Sequence, residues 1–267
     1  ADVRLTDTTV SQFHFEAWAK EGGIVVRDLG SHNGTMASGI AIKHAVVPSG
    51  TELQIGDTVL ELSCGVRAVV ERSKATFYGA LVGSSAKMRE LYAALERLAR
   101  TNLSVLIEGE TGTGKELAAR ALHECGPRAS GPFVAVNCAA IPASLAESVL
   151  FGHEKGASAG AEEQRVGVFE AASGGTVFLD EVAELPRDLQ AKLLRAIEQR
   201  EVVPVGATQP RPFDARIVSA TWKGLRELVN RGTFREDLYF CLAQARVRMP
   251  SLRERPEDIK PLVQHFL

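Results

Sequence analysis

The sequence predicts an α/β fold, a parallel sheet flanked by helices, preceded by a shorter all-β sandwich segment. Three observations carry that reading. The apolar runs "SVLIE", "FVAVN", "TVFLD" and "ARIVSA" are spread over residues 104 to 220, with helical patterns such as "DLQAKLLRAIEQ" among them. Runs that are apolar on both faces need cover on both sides, which is the condition of a parallel sheet under helices. Residues 1 to about 64 instead show short alternating stretches, "GIVVRDLG", "TELQIG" and "TVLELS", cut by Gly, Asn, Asp and Ser turns. A glycine-rich stretch, "GETGTGKE", follows directly on the first apolar run.

The period changes near residue 85, where Met88, Leu91, Leu95 and Leu98 fall at helical spacing behind Ser84 and Ser85 as caps. The stretch "GVRAVVERSKATFYG", 65 to 79, carries the connection. With 267 residues, 45% hydrophobic and 24% charged, the chain has an ordinary globular composition and length enough for two domains. It does not start with Met, and its last residues, "KPLVQHFL", fall inside a helical pattern, so a piece of a longer protein, cut at both ends, is expected. No apolar run approaches the roughly 20 residues that cross a bilayer, and the start lacks signal-peptide regions, so a cytoplasmic location is expected. Cys64, Cys125, Cys138 and Cys241 are far apart, with no CxxC pair. That pattern predicts reduced, mostly buried thiols rather than a disulfide framework or a zinc site. A net charge of −2 without a Lys/Arg run gives no electrostatic footprint for DNA, so DNA contact is expected only from a further, C-terminal domain.

The glycine stretch runs from Gly109 through Glu110, Thr111, Gly112, Thr113, Gly114 and Lys115 to Glu116, and the helical pattern "ELAARALHE" begins at its end. The context is strand, glycine loop, helix. Backbone N–H groups of such a loop and the helix N-terminus form a concave positive site for phosphates, and Lys115 reaches the terminal ones. Glu116 stands where a Mg2+-ligating hydroxyl usually follows the lysine. Further on, "GGTVFLDE" is a buried strand that ends in two acids, Asp180 and Glu181. Asp180 is placed to hold Mg2+ through water, and Glu181 to polarise a water for in-line attack on a γ-phosphate. Between these elements "LFGHEKGASAGAEE", 150 to 163, has little to bury and much backbone freedom, and reads as an exposed loop.

From about residue 79 onward the chain resembles the central AAA+ domain of sigma-54-dependent transcription activators. "GETGTGKE" carries that family's Glu after the Lys, and "PFVAVNCAAIPASL", "LFGHEKGA", "GVFEAASGGTVFLDEVAELP", "QAKLLRAIE", "GTFREDLY" and "LRERPEDI" follow in the family's order. The resemblance implies residues 79–248 as the α/β subdomain and 249–267 as the start of the lid. It implies a hexameric or heptameric ring that binds and hydrolyses ATP with Mg2+ and acts on sigma-54 RNA polymerase. Val82 and Gly83 would lie with the phosphate loop in the nucleotide site, Asn137 would couple Glu181 to the nucleotide state, and Arg235 would enter the neighbouring subunit's site. A trans arginine of this kind contributes several powers of ten in rate. Gly156, Ala157, Ser158, Ala159, Gly160 and Ala161 form the sigma-54 loop, with Ser158 and Ala159 where the family has Phe and Thr. Trp222 replaces the family's sensor Asn, and Cys241 a second interface arginine. An indole donates one hydrogen bond and a thiol carries no fixed positive charge, so slow turnover and poor sigma-54 activation are expected.

Residues 1–64 resemble most of a forkhead-associated (FHA) domain, joined through a linker at 65–78. "TVSQFH" matches its SxxH element and "DLGSHNGT" its Asn-Gly turn, while the opening strands and the Gly-Arg element are not in the sequence. The resemblance implies phosphothreonine-protein binding, with Ser11 on the phosphate, Asn33 on the peptide backbone and His14 bracing the fold. The combined expectation is an FHA-regulated AAA+ ATPase in transcription control. A nucleotide-dependent phosphoprotein-binding switch with weak ATPase stands as the alternative. A small-molecule kinase fits less well, because "FREDLY" and the 156–161 loop serve ring assembly rather than an acceptor pocket.

Overall fold

Strand and helix formation follow the sequence patterns closely in a computed structural model of the chain, which describes residues 3–20, 22–65, 71–157 and 163–267. The chain divides into two units, one of Ala1–Val69 with Leu225–Thr233 and one of Val70–Gly224 with Phe234–Leu267.

The first unit is all-β apart from its distant segment. Its strands are β1 (Phe15–Lys20), β2 (Gly23–Asp28), β3 (Thr35–Ala37), β4 (Ile40–Ile42), β5 (His44–Val47), β6 (Thr51–Ile55) and β7 (Thr58–Leu62). They form two antiparallel sheets in the orders β1-β2-β5 and β4-β3-β6-β7. In β6 the period of two is plain: Leu53 and Ile55 are buried while Glu52 and Gln54 are exposed. Leu53 packs with Ile24, Val26 and Val47 from the other sheet. Asp7 ties the leading segment to the β6–β7 turn by accepting hydrogen bonds from Thr58 (2.6 Å) and from the Thr9 hydroxyl and amide (2.6 and 2.8 Å).

In the second unit, Arg72 and Ser73 bond to Glu90 and Glu96, and a short hairpin pairs β8 (Phe77–Tyr78) with β9 (Leu81–Val82). Helix α1 (Ala86–Ala99) follows, N-capped by Ser85, whose hydroxyl accepts from the Met88 amide at 3.3 Å. The remaining strands are β10 (Val105–Glu108), β11 (Phe133–Asn137), β12 (Thr176–Asp180), the β13/β14 pair (Glu201–Val202, Arg211–Pro212), β15 (Arg216–Thr221) and β16 (Ala245–Arg248). The helices are α2 (Lys115–Glu124), α3 (Ala143–Phe151), α4 (Val168–Ala171), α5 (Arg187–Gln199), α7 (Glu236–Leu242) and α8 (Ile259–Phe266), while α6 (Leu225–Asn230) belongs to the first unit.

Five parallel strands make the sheet, in the order β11-β12-β15-β10-β16. Val105, Leu106 and Ile107 are fully buried, as are Val177 and Leu179, so these strands are covered on both faces as their sequences require. The edge strand β16 has no continuous apolar run, because Arg246 and Arg248 alternate with its buried Val247. The buried Arg216 donates to the carbonyls of Leu98 (2.8 Å), Leu122 (3.4 Å) and Ala99 (3.5 Å), serving the C-terminal turns of α1 and α2 with one cation.

The expectation of mostly buried thiols fails. Cys138 is buried, Cys241 is partly so, and Cys64 and Cys125 are exposed, because the last two lie past a strand end and at a helix end. Among the described residues no helix is long and apolar enough to cross a membrane.

Candidate functional site

The phosphate loop leaves β10 at Glu108 and enters α2 at Lys115. Gly112 and Gly114 have φ of 79° and 98°, the left-handed region that favours glycine, and Gly114 is the helix N-cap. A Cβ on Gly109 would stand 2.8 Å from the Cβ of Met249, so the loop's start also needs a glycine for close approach. The Thr113 hydroxyl donates back to the Glu110 carbonyl at 2.7 Å, curling the loop. Glu110, Thr111, Gly112 and Thr113 line a cleft of about 250 Å³, with Arg255 and Leu262 on its other side. Glu116 points away and pairs with Arg120 one helical turn on. Val82 ends β9, and Gly83, whose amide donates to the Thr76 carbonyl at 3.0 Å, packs with no room for a Cβ against Met88.

Lys115 is nearly buried, at 7% side-chain exposure, and its ammonium is held by the carbonyls of Gly109 (3.1 Å) and Glu110 (3.4 Å) and by Glu181 Oε1 at 3.3 Å. A buried ammonium needs such partners. Glu181 follows directly on β12 with φ 52° and ψ 47°, a left-handed conformation that costs a non-glycine residue on the order of 1–3 kcal/mol. Its other oxygen accepts from the backbone amide of Trp222 at 3.3 Å. Asp180 Oδ1 accepts from the Glu181 amide at 3.1 Å. Burial, then the neighbouring Glu181 charge, raise the Asp180 pKa above its ordinary value. These groups meet because β10, β12 and β15 lie side by side and all end on one edge of the sheet. In open α/β sheets that edge is where ligands bind.

Asn137 ends β11 in register with Asp180, and its side-chain oxygen accepts from the Ala139 amide at 2.9 Å. Among the described residues the Glu181 carboxylate is held by Lys115 and Trp222 rather than by Asn137. The Trp222 indole is 56% exposed, and Lys223, itself paired with Glu184 at 2.6 Å, lies 5.5 Å over the ring. Arg235 is the N-cap of α7. Its amide donates to Gln190 at 2.9 Å, and its guanidinium is bound twice by Asp237, at 2.6 and 3.0 Å. Cys241, on the same helix, is partly buried, and that burial raises its pKa.

Two residues that chemistry-by-motif passed over also touch the loop. Arg253 forms a bidentate pair with Glu110, holding that carboxyl below its ordinary pKa, and the buried Arg255 donates to the Thr113 carbonyl at 3.3 Å. Both belong to "LRERPEDI", a stretch that the resemblance singled out without giving either arginine a role. Asp258, fully buried in the same stretch, accepts from the amides of Ser84 and Ser85 at 2.6 and 2.8 Å.

The glycine loop after α3 is closed at its base. His153 pairs antiparallel with Arg165, its ring bonds the Ser148 hydroxyl (2.6 Å) and the Glu163 carbonyl (2.9 Å), and Glu154 pairs with Arg211. Gly156 has φ 78° and Ala157 donates to the Glu154 carbonyl. Ser158, Ala159, Gly160 and Ala161 lie outside the described residues.

In the first unit, Ser11 Oγ accepts from the His32 amide at 2.9 Å and the Asn33 amide group donates to the Thr9 carbonyl at 2.7 Å, so the two loops hold each other. His14 is buried beneath them. Its Nδ1 accepts from the Ser11 amide (3.1 Å) and its Nε2 faces the Gly34 carbonyl (2.9 Å), which requires the proton on Nε2.

A family model described as the sigma-54 interaction domain matches residues 81–248, and one described as the FHA domain matches residues 1–58. A DNA-binding transcriptional regulator NtrC from Rhizobium meliloti (strain 1021) is 55% identical over 187 residues, covering 70% of this chain and 39% of that protein. The Escherichia coli (strain K12) NtrC is 50% identical over 187 residues, 70% of this chain and 40% of its own. The chain thus spans about two fifths of the length of these curated relatives. A crystal structure of NtrX from Brucella abortus is similar, with a TM-score of 0.66 and 44% identity over 69% of this chain and 42% of that one. A second NtrX structure, in complex with ATP, matches with a TM-score of 0.65 and 44% identity over 70% of this chain and 40% of its own.

Proposed function

Because the chain belongs to the sigma-54 interaction domain family, we propose that its second unit is the ATPase of a transcription regulator and that its first unit recognises phosphothreonine. One observation carries the reading. A nearly buried lysine at the start of a helix and a strained glutamate at the end of a neighbouring strand stand 3.3 Å apart beside the phosphate loop. ATP takes the loop amides, and Lys115 exchanges its contacts with Gly109, Glu110 and Glu181 for β- and γ-phosphate oxygens. That exchange frees the Glu181 carboxylate to orient the attacking water and accept its proton.

Among the described residues no group of three His, Cys, Asp or Glu side chains is placed to hold a metal. Mg2+ does not need one, since it keeps several waters and binds one or two carboxylates together with substrate phosphates. Asp180, whose Oδ2 has no hydrogen-bond partner among the described residues, fits that role. When bound, the ion neutralises charge developing on the phosphates. Arg235 serves the site of a neighbouring copy in a ring, so turnover depends on protein concentration. Trp222 and Cys241 make it slow. At the tip of the glycine loop, Ser158 and Ala159 offer one hydroxyl and one methyl, a weak hold on sigma-54.

Calorimetric titration of ATP with Mg2+ tests the nucleotide site. The protein is expected to bind, and Lys115→Ala to lose about 100-fold or more in affinity, as charge-assisted bonds to phosphate are worth about 1.5–3 kcal/mol each. Absence of ATP affinity in the unaltered protein overturns the reading.

A further inference from the structure

We propose, resting on the nucleotide-site reading above, that Arg255 is a positioning residue for phosphate binding, acting through the Thr113–Gly114 peptide of the phosphate loop. Arg255 is 6% exposed, and among the described residues its hydrogen bonds go to the Thr113 carbonyl at 3.3 Å and the Met88 sulfur at 3.0 Å. Its Nε has no partner there. A thioether is a weak acceptor, so a single backbone carbonyl carries most of what this buried cation needs. Packing alone is served as well or better by an apolar side chain of similar volume. A phosphate in the adjoining loop supplies the negative charge that the core does not.

The place of that carbonyl in the loop gives the contact its consequence. Thr113 is 8% exposed, and its peptide unit continues into Gly114, the N-cap of α2. A trans peptide directs its C=O and N–H to opposite sides, so a carbonyl turned toward Arg255 turns the Gly114 N–H away from it. That amide has no acceptor among the described residues and stands at the positive end of α2. A charged donor on the carbonyl also polarises the peptide and makes its N–H the stronger donor. Upstream, the Thr113 amide and hydroxyl both donate to the Glu110 carbonyl, at 3.3 and 2.7 Å, which fixes the bend of the loop. Arg255 fixes the rotation of the next peptide, where glycine by itself offers the least resistance. The turn that delivers Arg255 is closed by Glu254, which accepts from the Ser251 amide at 3.0 Å and hydroxyl at 3.1 Å. All of these residues belong to the second unit.

The test compares the full-length protein with its Arg255→Gln, Arg255→Lys and Glu254→Ala variants, reading calorimetric affinity for ATP and ADP, kcat at saturating ATP, and the melting temperature without nucleotide. Arg255→Gln is expected to weaken both nucleotides about tenfold and to leave kcat within about threefold, the mark of binding shared by ground and transition states. Its melting temperature without nucleotide is expected to stay the same or rise, since an under-partnered buried cation has gone. Arg255→Lys, which keeps the charge and a donor, is expected to recover most of the affinity, and Glu254→Ala, which loosens the turn without touching the loop, to stay within about threefold. ATP affinity within threefold of the unaltered protein in Arg255→Gln, or a fall in melting temperature as its sole effect, overturns the inference and leaves the nucleotide-site reading standing. An equal loss of affinity in Glu254→Ala, or no recovery in Arg255→Lys, also overturns it. Absence of ATP affinity in the unaltered protein overturns both.

Discussion

The phosphate loop of the second unit and the Ser11–Asn33 loops of the first, both of which the proposed function assigns to phosphate recognition, are built in different ways. In the second unit the strands beneath the site are buried on both faces, and the working groups are nearly buried too, with Lys115 paired to a glutamate in a strained backbone. In the first unit most of β1 is exposed, Asn33 is exposed, and the working side chains bond to the opposite loop. A site built where strand ends converge is held in place by its scaffold. One built on loop tips is held by bonds that a ligand must replace.

The comparison breaks most sharply at Glu181. Replacing it by Gln keeps its size and removes the base, so ATP turnover is expected to fall about 10²–10⁴-fold while ATP affinity stays within about threefold. A parallel loss of affinity would show that the strained glutamate serves binding rather than chemistry. The glycine loop gives the next effect. Burying a phenylalanine contributes about 1.5–3 kcal/mol, so Ser158→Phe with Ala159→Thr is expected to raise sigma-54 open-complex formation tenfold or more. Robust activity of the natural loop would show that the aromatic contact is dispensable.

In the first unit, Ser11→Ala and Asn33→Ala in the full-length protein are each expected to weaken binding of a phosphothreonine peptide pool about tenfold, the worth of one or two hydrogen bonds. Binding that survives both substitutions would place the recognition elsewhere. The smallest effect concerns acid. Hydrogen bonds from Thr58 and Thr9 lower the Asp7 pKa from 3.8 to about 2. A carboxyl lowered on folding contributes stability above its unfolded pKa and loses it as pH falls toward the folded one. The first unit is therefore expected to lose stability between pH 3.8 and about 2, and Asp7→Asn to flatten that dependence. Urea unfolding followed by Trp18 fluorescence in a Trp222→Phe background reads it; an unchanged slope would count against the tie between the leading segment and the β6–β7 turn.

Much of the second unit was legible because its rules are local. Apolar runs at 105–108, 176–180 and 216–221 became the three inner strands and that at 133–137 the edge strand β11, Ser85 became the cap of α1, and the glycine spacing announced the phosphate loop before any fold was known. Strand β16 escaped because Arg246 and Arg248 flank its buried Val247, leaving no apolar run, whereas the other edge strand, β11, has one.

The sequence by itself determined most of the elements and which chemistry is at hand: Lys115 behind its glycines, and Asp180 and Glu181 at a strand end. Only the tertiary structure decided what these groups touch. Trp222 was read through its indole, yet the atom that meets Glu181 is its backbone amide, which every non-proline residue carries and no sequence pattern can single out. Arg253 and Arg255 meet the phosphate loop from about 140 positions away in the chain, and Asn230 meets Phe13 and Leu29 from about 200. Local periodicity reports how a segment buries its own side chains. Contacts between distant segments depend on strand order and on where each chain reversal delivers the next element, and those are settled only when the whole chain packs.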